Sequence, residues 1–263
     1  MVVIALNRSE HVLEYSRAGF ALQSASDHNT SALMRPSVMI SAIEVSDTAT
    51  RCFAFAVAVM YILLYALLQK KKLPKGLWLP LTKCYFYPML VPSYLWRRLC
   101  VRGSYFSQVD DCLLLGAVPI ACFGHVRQLH RMRVRAVVNM CAEYGGPVAA
   151  YASLTPPIKQ LHLPVTDHFE PTVDQLKAAV AFITEHARNG DKVLVHCKGG
   201  HGRGAAVAFA YLVSEAGGSL TLEDAQAQLN SVRHVRKKLY QQPVLVSFSR
   251  LTATGGRSAR ELL

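Results

Sequence analysis

Charge is scarce in this chain and lopsided in sign. Only 17% of the 263 residues are charged, and 17 acids face 29 lysines and arginines, for a formal net charge of +12. That surplus favours an anionic partner, whether nucleic acid, an anionic membrane face or a phosphorylated substrate. Low charge combined with a positive mean hydropathy points toward membrane contact. Paired cysteine spacing is also missing. The 7 cysteines are odd in number and scattered, which excludes a disulfide framework or a zinc site and fits a reducing compartment. No Gly-x-Gly-x-x-Gly follows an early strand and no Gly-Lys-Ser/Thr occurs, so dinucleotide and nucleotide-binding loops are set aside. Residues 1–51 lack helical or strand periodicity and are expected to be disordered. Their acids Glu10, Glu14, Asp27, Glu44 and Asp47 argue against a cleavable transit peptide, which is poor in acids.

The next segment is apolar. "CFAFAVAVMYILLYALL", residues 52–68, carries no charge and precedes "QKKKLPK". A run apolar on every face must be buried all round, in a core or in lipid, and its length reaches the short end of a bilayer span, roughly 17 residues. The expectation is a transmembrane helix, with Lys70, Lys71, Lys72 and Lys75 holding the C-terminal side in the cytosol or matrix. Residues 69–104 form a basic and aromatic arm with both tryptophans and, near its end, Arg97, Arg98 and Arg102. Rings flanked by cations suit the headgroup layer, and they equally suit a packing arm on the domain surface.

From about residue 105 to 250 the texture is that of a globular domain, with 251–263 read as a flexible tail. "CLLLGAV" (112–118), "RAVVNMC" (135–141), "KQLHLPV" (159–165) and "KVLVH" (192–196) read as short buried strands. "TVDQLKAAVAFITEHARNG" (172–190) reads as an amphipathic helix opened by a Thr172/Gln175 capping box. "LTLEDAQAQLNSVR" and "QPVLVSFSR" read as further helices. The alternation implies an α/β sandwich whose central, mainly parallel sheet is flanked by helices.

The densest signal is "DKVLVHCKGGHGRGAAVAFAYLV", residues 191–213, a glycine-rich turn between strand and helix. Gly199, Gly200 and Gly202 let successive N–H groups face inward as a nest for a tetrahedral anion, with the helix dipole behind them. Such a site lowers a cysteine pKa, which would make Cys197 an ionised nucleophile beneath a bound phosphate. Arg203, on the first helical turn, can clamp two phosphate oxygens with its planar fork. A buried inert thiol and a solvated helix-end arginine would leave the glycines unexplained. Cleaving a phosphate ester also needs a proton for the leaving oxygen. "LPVTDHFEPT" offers Asp167 on the loop ahead of the capped helix, with Glu170 in reserve and His168 third; a turn cap is the plain alternative for Asp167.

"VHCKGGHGRG" resembles the His-Cys-x5-Arg signature of the protein-tyrosine phosphatase superfamily, in its dual-specificity branch. "KCYFYPMLVPSYLWRR", "QVDDCLLLGAVPI", "RAVVNMCAEY" and "LPVTDHFEPTVDQLKAAVAFI" together resemble the mitochondrial phosphatidylglycerophosphate phosphatase family, in the same order. The resemblance implies a membrane lipid phosphatase needing neither cofactor nor metal, with an anionic phospholipid or other phosphorylated substrate and a membrane as partners and no nucleic acid. It assigns Cys197 as nucleophile, Arg203 as phosphate clamp and Asp167 as general acid and then base. Lys198, Gly199, Gly200, His201 and Gly202 form the amide cradle, His196 supports the thiolate through hydrogen bonds, and Glu143 with Tyr144 stands beside the site. It implies a mitochondrial inner membrane with the catalytic domain on the matrix side; the endoplasmic reticulum or another membrane is the alternative location. A dual-specificity protein phosphatase would use the same residues, and a weak phosphate-binding scaffold is a third reading. Two positions depart from the pattern: His201 stands where lipid phosphatases often place Lys or Arg, and Gly204 where a Ser or Thr hydroxyl would donate to the sulfur.

Overall fold

The computed structural model describes residues 36–70, 73–100, 104–217 and 219–260. Residues 1–35 of the segment expected to be disordered, Lys71 and Lys72 of the basic run, Arg102 and residues 261–263 lie outside them. Two compact units divide between Met60 and Tyr61. Helix α1 (Pro36–Gln69) supplies what is described of the first and runs on into the sequence of the second. It begins well before residue 52, which corrects the expected start. Pro36 fits the first helical position, where its missing N–H costs nothing, and residues 37–51 contain no glycine or proline to stop propagation. Within α1, Thr48–Leu68 is long and apolar enough to cross a membrane by length and composition. Its Phe53, Phe55 and Met60 are exposed, so it is not a core helix.

After the end of α1, the second unit continues with a single 3-10 turn at Lys75–Leu77 and helix α2 (Trp78–Cys100). The aromatic arm is therefore mostly helical. Pro80 falls in the first turn, while Pro88 and Pro92 sit inside, each removing one backbone hydrogen bond. Leu68, Trp78 and Tyr85 make a small core between the end of α1 and the start of α2, tied by the Tyr85 hydroxyl donating to the Tyr61 carbonyl at 2.7 Å. The other face of α2 leaves Tyr87, Val91, Leu95 and Leu99 exposed at four-residue spacing.

The sheet domain comprises, in chain order, β1 (Phe106–Gln108), β2 (Leu113–Gly116), α3 (His125–Arg131), β3 (Val134–Cys141), α4 (Val148–Ala152) and β4 (Lys159–Val165). It continues with α5 (Val173–Arg188), β5 (Lys192–His196), α6 (Arg203–Glu215), α7 (Leu222–Val232) and α8 (Pro243–Arg260). The strand order is β1-β2-β5-β3-β4, parallel throughout except for β1 against β2, as the alternation predicted. The Thr172/Gln175 capping box forms, with the Gln175 N–H donating to Oγ1 at 3.2 Å. Two readings change. Strand β4 is not buried: only Val165 is, because β4 is the sheet edge. And α8 continues to Arg260, past the expected tail boundary; buried Leu245 and Phe248 anchor it, and glycine costs a helix only about 1 kcal/mol per residue.

Strand β5 is central, and its side chains alternate, with Val193 and Val195 in one core and Leu194 in the other. Helix α6 returns across the first of these cores and is buried from Arg203 to Val213. Three parallel strands, β5, β3 and β4, end at one edge of the sheet, aligned through Asn139 opposite His196 and Cys141 opposite Val165. Cys197 comes directly after β5, and Glu143 and Asp167 each lie just past β3 and β4. Topology alone thus brings three distant segments to one edge, where open α/β sheets place their sites.

Candidate active site

The turn between β5 and α6 wraps its backbone around Cys197. The thiol is buried at 3% exposure, and the Gly200 N–H points at Sγ from 3.2 Å. Gly200 has φ +72°, and a Cβ there would run into the Gly116 backbone, so this position of the cradle needs glycine twice over. At Gly204 a Cβ would lie 3.2 Å from the Cys197 nitrogen and 3.2 Å from the His196 carbonyl carbon. A serine there would need those neighbours to give by a few tenths of an ångström, while the sulfur already receives a backbone donor.

Arg203 is the hub. Its fork meets the Glu143 carboxylate at 2.9 and 2.7 Å, the Val165 carbonyl at 2.6 Å and Asp167 Oδ1 at 2.9 Å. Burial alone would lower the arginine pKa, but the Glu143 hydrogen bonds and nearby Cys197 and Asp167 outweigh it and raise it, so the guanidinium stays charged. Asp167 is pushed up by burial and down more strongly by Arg203, His168 and Lys198, leaving its carboxyl below the usual range. Glu143 fixes the plane of the fork, since a bidentate contact allows one orientation. Asp167, only partly buried, shares the same NH2 group and faces the cavity.

That cavity has a volume of about 660 Å³. Cys197, Lys198, Gly199, His201, Gly202 and Arg203 line its floor, Asp167 and His168 one side, and Arg236 another. The remaining wall comes from outside the sheet domain: Tyr65 near the end of α1, and Met89, Pro92 and Ser93 of α2. Glu170, the reserve acid, is exposed and does not line the cavity. Among the described residues, no group of His, Cys, Asp and Glu is placed to hold a metal ion.

Not every expected residue takes its expected part. Burial pushes His196 down to about 3, so the ring is neutral, although a backbone hydrogen bond at Cys197 works against that shift. Tyr144 turns away from the cavity, donating to the Pro119 carbonyl at 2.8 Å and stacking on Phe86 of α2. His201 lines the cavity with its Nδ1 engaged by the His234 carbonyl. One residue that sequence reasoning missed is Arg233, buried behind the cradle. It donates to the Gly199 carbonyl at 3.0 Å, the Gly200 carbonyl at 3.3 Å and Ser107 Oγ at 3.2 Å, holding the outward-facing carbonyls so that the amides face in. Nothing in "SVRHVRKK" marks that arginine apart from its neighbours.

Residues 104–243 match the family model described as PTP-SAK, the Swiss Army Knife protein DSP-PTPase phosphatase domain. The chain belongs to this phosphatase family. The phosphatase is a phosphoric monoester hydrolase. It is 31% identical to phosphatidylglycerophosphate phosphatase PTPMT2 of Arabidopsis thaliana, over 63% of this chain and 72% of that protein. It is 35% identical to human dual specificity phosphatase 28, over 49% of this chain and 68% of that protein. The solved structure of PTPMT1 in complex with PI(5)P superposes with TM-score 0.52 at 25% identity, over 58% of this chain and 99% of that one.

Proposed function

We propose that the phosphatase hydrolyses a phospholipid monoester, phosphatidylglycerophosphate above others, through a cysteinyl-phosphate on Cys197. The terminal phosphate sits in the amide nest of Lys198, Gly199, Gly200, His201 and Gly202, with two of its oxygens on Arg203. The thiolate attacks phosphorus in line with the ester oxygen; as the P–O bond breaks, Asp167 gives that oxygen its proton. The alcohol leaves, Asp167, now ionised, takes a proton from water, and the resulting nucleophile displaces the sulfur as inorganic phosphate forms. Asp167 rests on Arg203 in the free protein, so an incoming phosphate must take over the NH2 group it holds. Released toward a dianion, the carboxyl loses the charge that keeps its pKa low and becomes able to carry the proton.

The observation that carries the lipid reading is the apolar wall of Tyr65, Met89 and Pro92 facing the cradle. A glycerol backbone and the first acyl carbons fit such a wall, and a phosphopeptide backbone would leave its amides unpaired against it. The exposed stripe of α2 and the span-length run in α1 suit a membrane surface in the same protein. The name of the Arabidopsis thaliana relative supports the same class of substrate. We place the protein at the mitochondrial inner membrane with the catalytic domain on the matrix side, with the endoplasmic reticulum as the other location to be checked by fractionation. The test of substrate is to measure kcat/KM for phosphatidylglycerophosphate, a phosphoinositide and a phosphotyrosine peptide side by side on the full chain in mixed micelles. Highest values for phosphatidylglycerophosphate support the reading; a phosphopeptide preference overturns it in favour of a protein phosphatase.

A further inference from the structure

The loop that carries Asp167 is held from outside the sheet domain. Trp78, at the start of α2, is 4% exposed and donates its indole N–H to the Leu73 carbonyl at 3.0 Å, which fixes the ring in the small core with Leu68 and Tyr85. The outer part of that ring meets the acid loop. Its centroid is 5.2 Å from Phe169 in an edge-on arrangement and 6.1 Å from His168. Those are the two residues directly after Asp167. His168 has φ +68°, left-handed backbone that a non-glycine residue adopts only when its surroundings hold it, and its N–H donates to Asp167 Oδ1 at 3.1 Å. The chain of contacts therefore runs from Trp78 to His168 and Phe169, and from the backbone of His168 to the acid's carboxyl. Trp78 lies outside residues 104–243, the part that matches the phosphatase family. The catalytic domain does not by itself supply this support.

We propose that Trp78 is a positioning residue for Asp167, so that the end of α1 and the start of α2 set the efficiency of proton delivery to the leaving group. The proposal rests on the assignment of Asp167 as general acid. Proton delivery matters in proportion to the basicity of the leaving oxygen, which gives a readout that general loosening of the fold does not move. The experiment uses the full chain in detergent with two soluble probes, para-nitrophenyl phosphate, whose leaving group needs little protonation, and phenyl phosphate, whose leaving group needs more. Asp167→Asn calibrates the scale. Trp78→Ala is expected to lower kcat on phenyl phosphate about tenfold while holding para-nitrophenyl phosphate within about twofold, and Trp78→Phe to restore most of the difference. On the Asp167→Asn background Trp78→Ala should add nothing further to the leaving-group dependence, as expected for two changes acting through one group. Should Trp78→Ala fail to fold, Phe169→Ala removes the same contact from the loop side, and the same selective loss is expected. Equal loss on both probes, or no loss in the folded variant, overturns the proposal. If Asp167→Asn itself shows no leaving-group dependence, the acid assignment falls and this proposal with it; if Asp167→Asn behaves as expected and the Trp78 and Phe169 variants do not, only this proposal falls.

Discussion

The floor and the far wall of the cavity are built in opposite ways. The floor is one contiguous stretch, Cys197 to Arg203, whose backbone amides point inward because glycines permit it and because Arg233 holds the outward carbonyls. The wall is a set of side chains from Tyr65 to Ser93, delivered by helices outside the family-matched region. A backbone cradle reads any phosphate monoester, since it contacts only the group common to all of them. A side-chain wall reads what is attached to that group. On the proposed function, chemistry falls to the floor and choice of substrate to the wall.

The widest separation between the two regions should come from the nucleophile. Cys197→Ser should lower turnover on every substrate by at least about 10⁴-fold, because the covalent route is lost whatever stands at the wall. Binding of phosphate or vanadate should survive, since the cradle is backbone. Residual activity above about a hundredth would mean that another group attacks phosphorus. Next in size is the proton. Asp167→Asn should slow an alkyl phosphate about 10²- to 10⁴-fold and an aryl phosphate with a good leaving group much less; equal losses, or a larger effect from Glu170→Gln, would move the acid elsewhere.

A smaller effect is expected on stability from the floor's own support. Glu143→Gln takes the charge from the carboxylate that faces the buried Arg203, and breaking a buried pair costs about 3–5 kcal/mol. Thermal unfolding in detergent should register it, with Glu143→Asp milder; an unchanged midpoint would show that Val165 and Asp167 suffice. The smallest effect concerns pH. Asp167 has a lowered pKa in the folded protein, so its ion pair stabilises the fold above the ordinary carboxylate value of about 3.9 and ceases to do so as pH falls through the lowered value. The stability gap between the natural chain and Asp167→Asn should be full at neutral pH and close on acidification. A gap that widens in acid would contradict the sign.

Legibility in the sequence divides along the same line. Cys197, the glycines and Arg203 are readable because a backbone nest needs glycine at fixed spacing within one turn, and Asp167 because it comes after a strand ending on the same sheet edge. Glu143 came only with the resemblance, since its fork contact with Arg203 crosses 60 residues of chain. Arg233 carried no local signal, and Trp78 and Met89 were legible only as members of the aromatic arm, without their parts at the site. Their parts arise from packing between segments far apart in sequence, where a buried arginine and a solvated one look alike. Strand β1 has three residues and thus no period to detect, and β4 reads as buried because its apolar residues do not reveal that the sheet ends there.

The division of labour is tested most directly at Met89, which faces the cavity without taking part in the chemistry. Met89→Ser removes apolar surface from the wall, and a buried methionine contact is worth about 1.5–3 kcal/mol, so kcat/KM for phosphatidylglycerophosphate in mixed micelles should fall at least about tenfold. On para-nitrophenyl phosphate the same variant should match the natural chain, and Met89→Leu should match it on both. A parallel fall on both substrates, or an unchanged lipid value in the folded variant, would contradict the claim that this wall chooses the substrate.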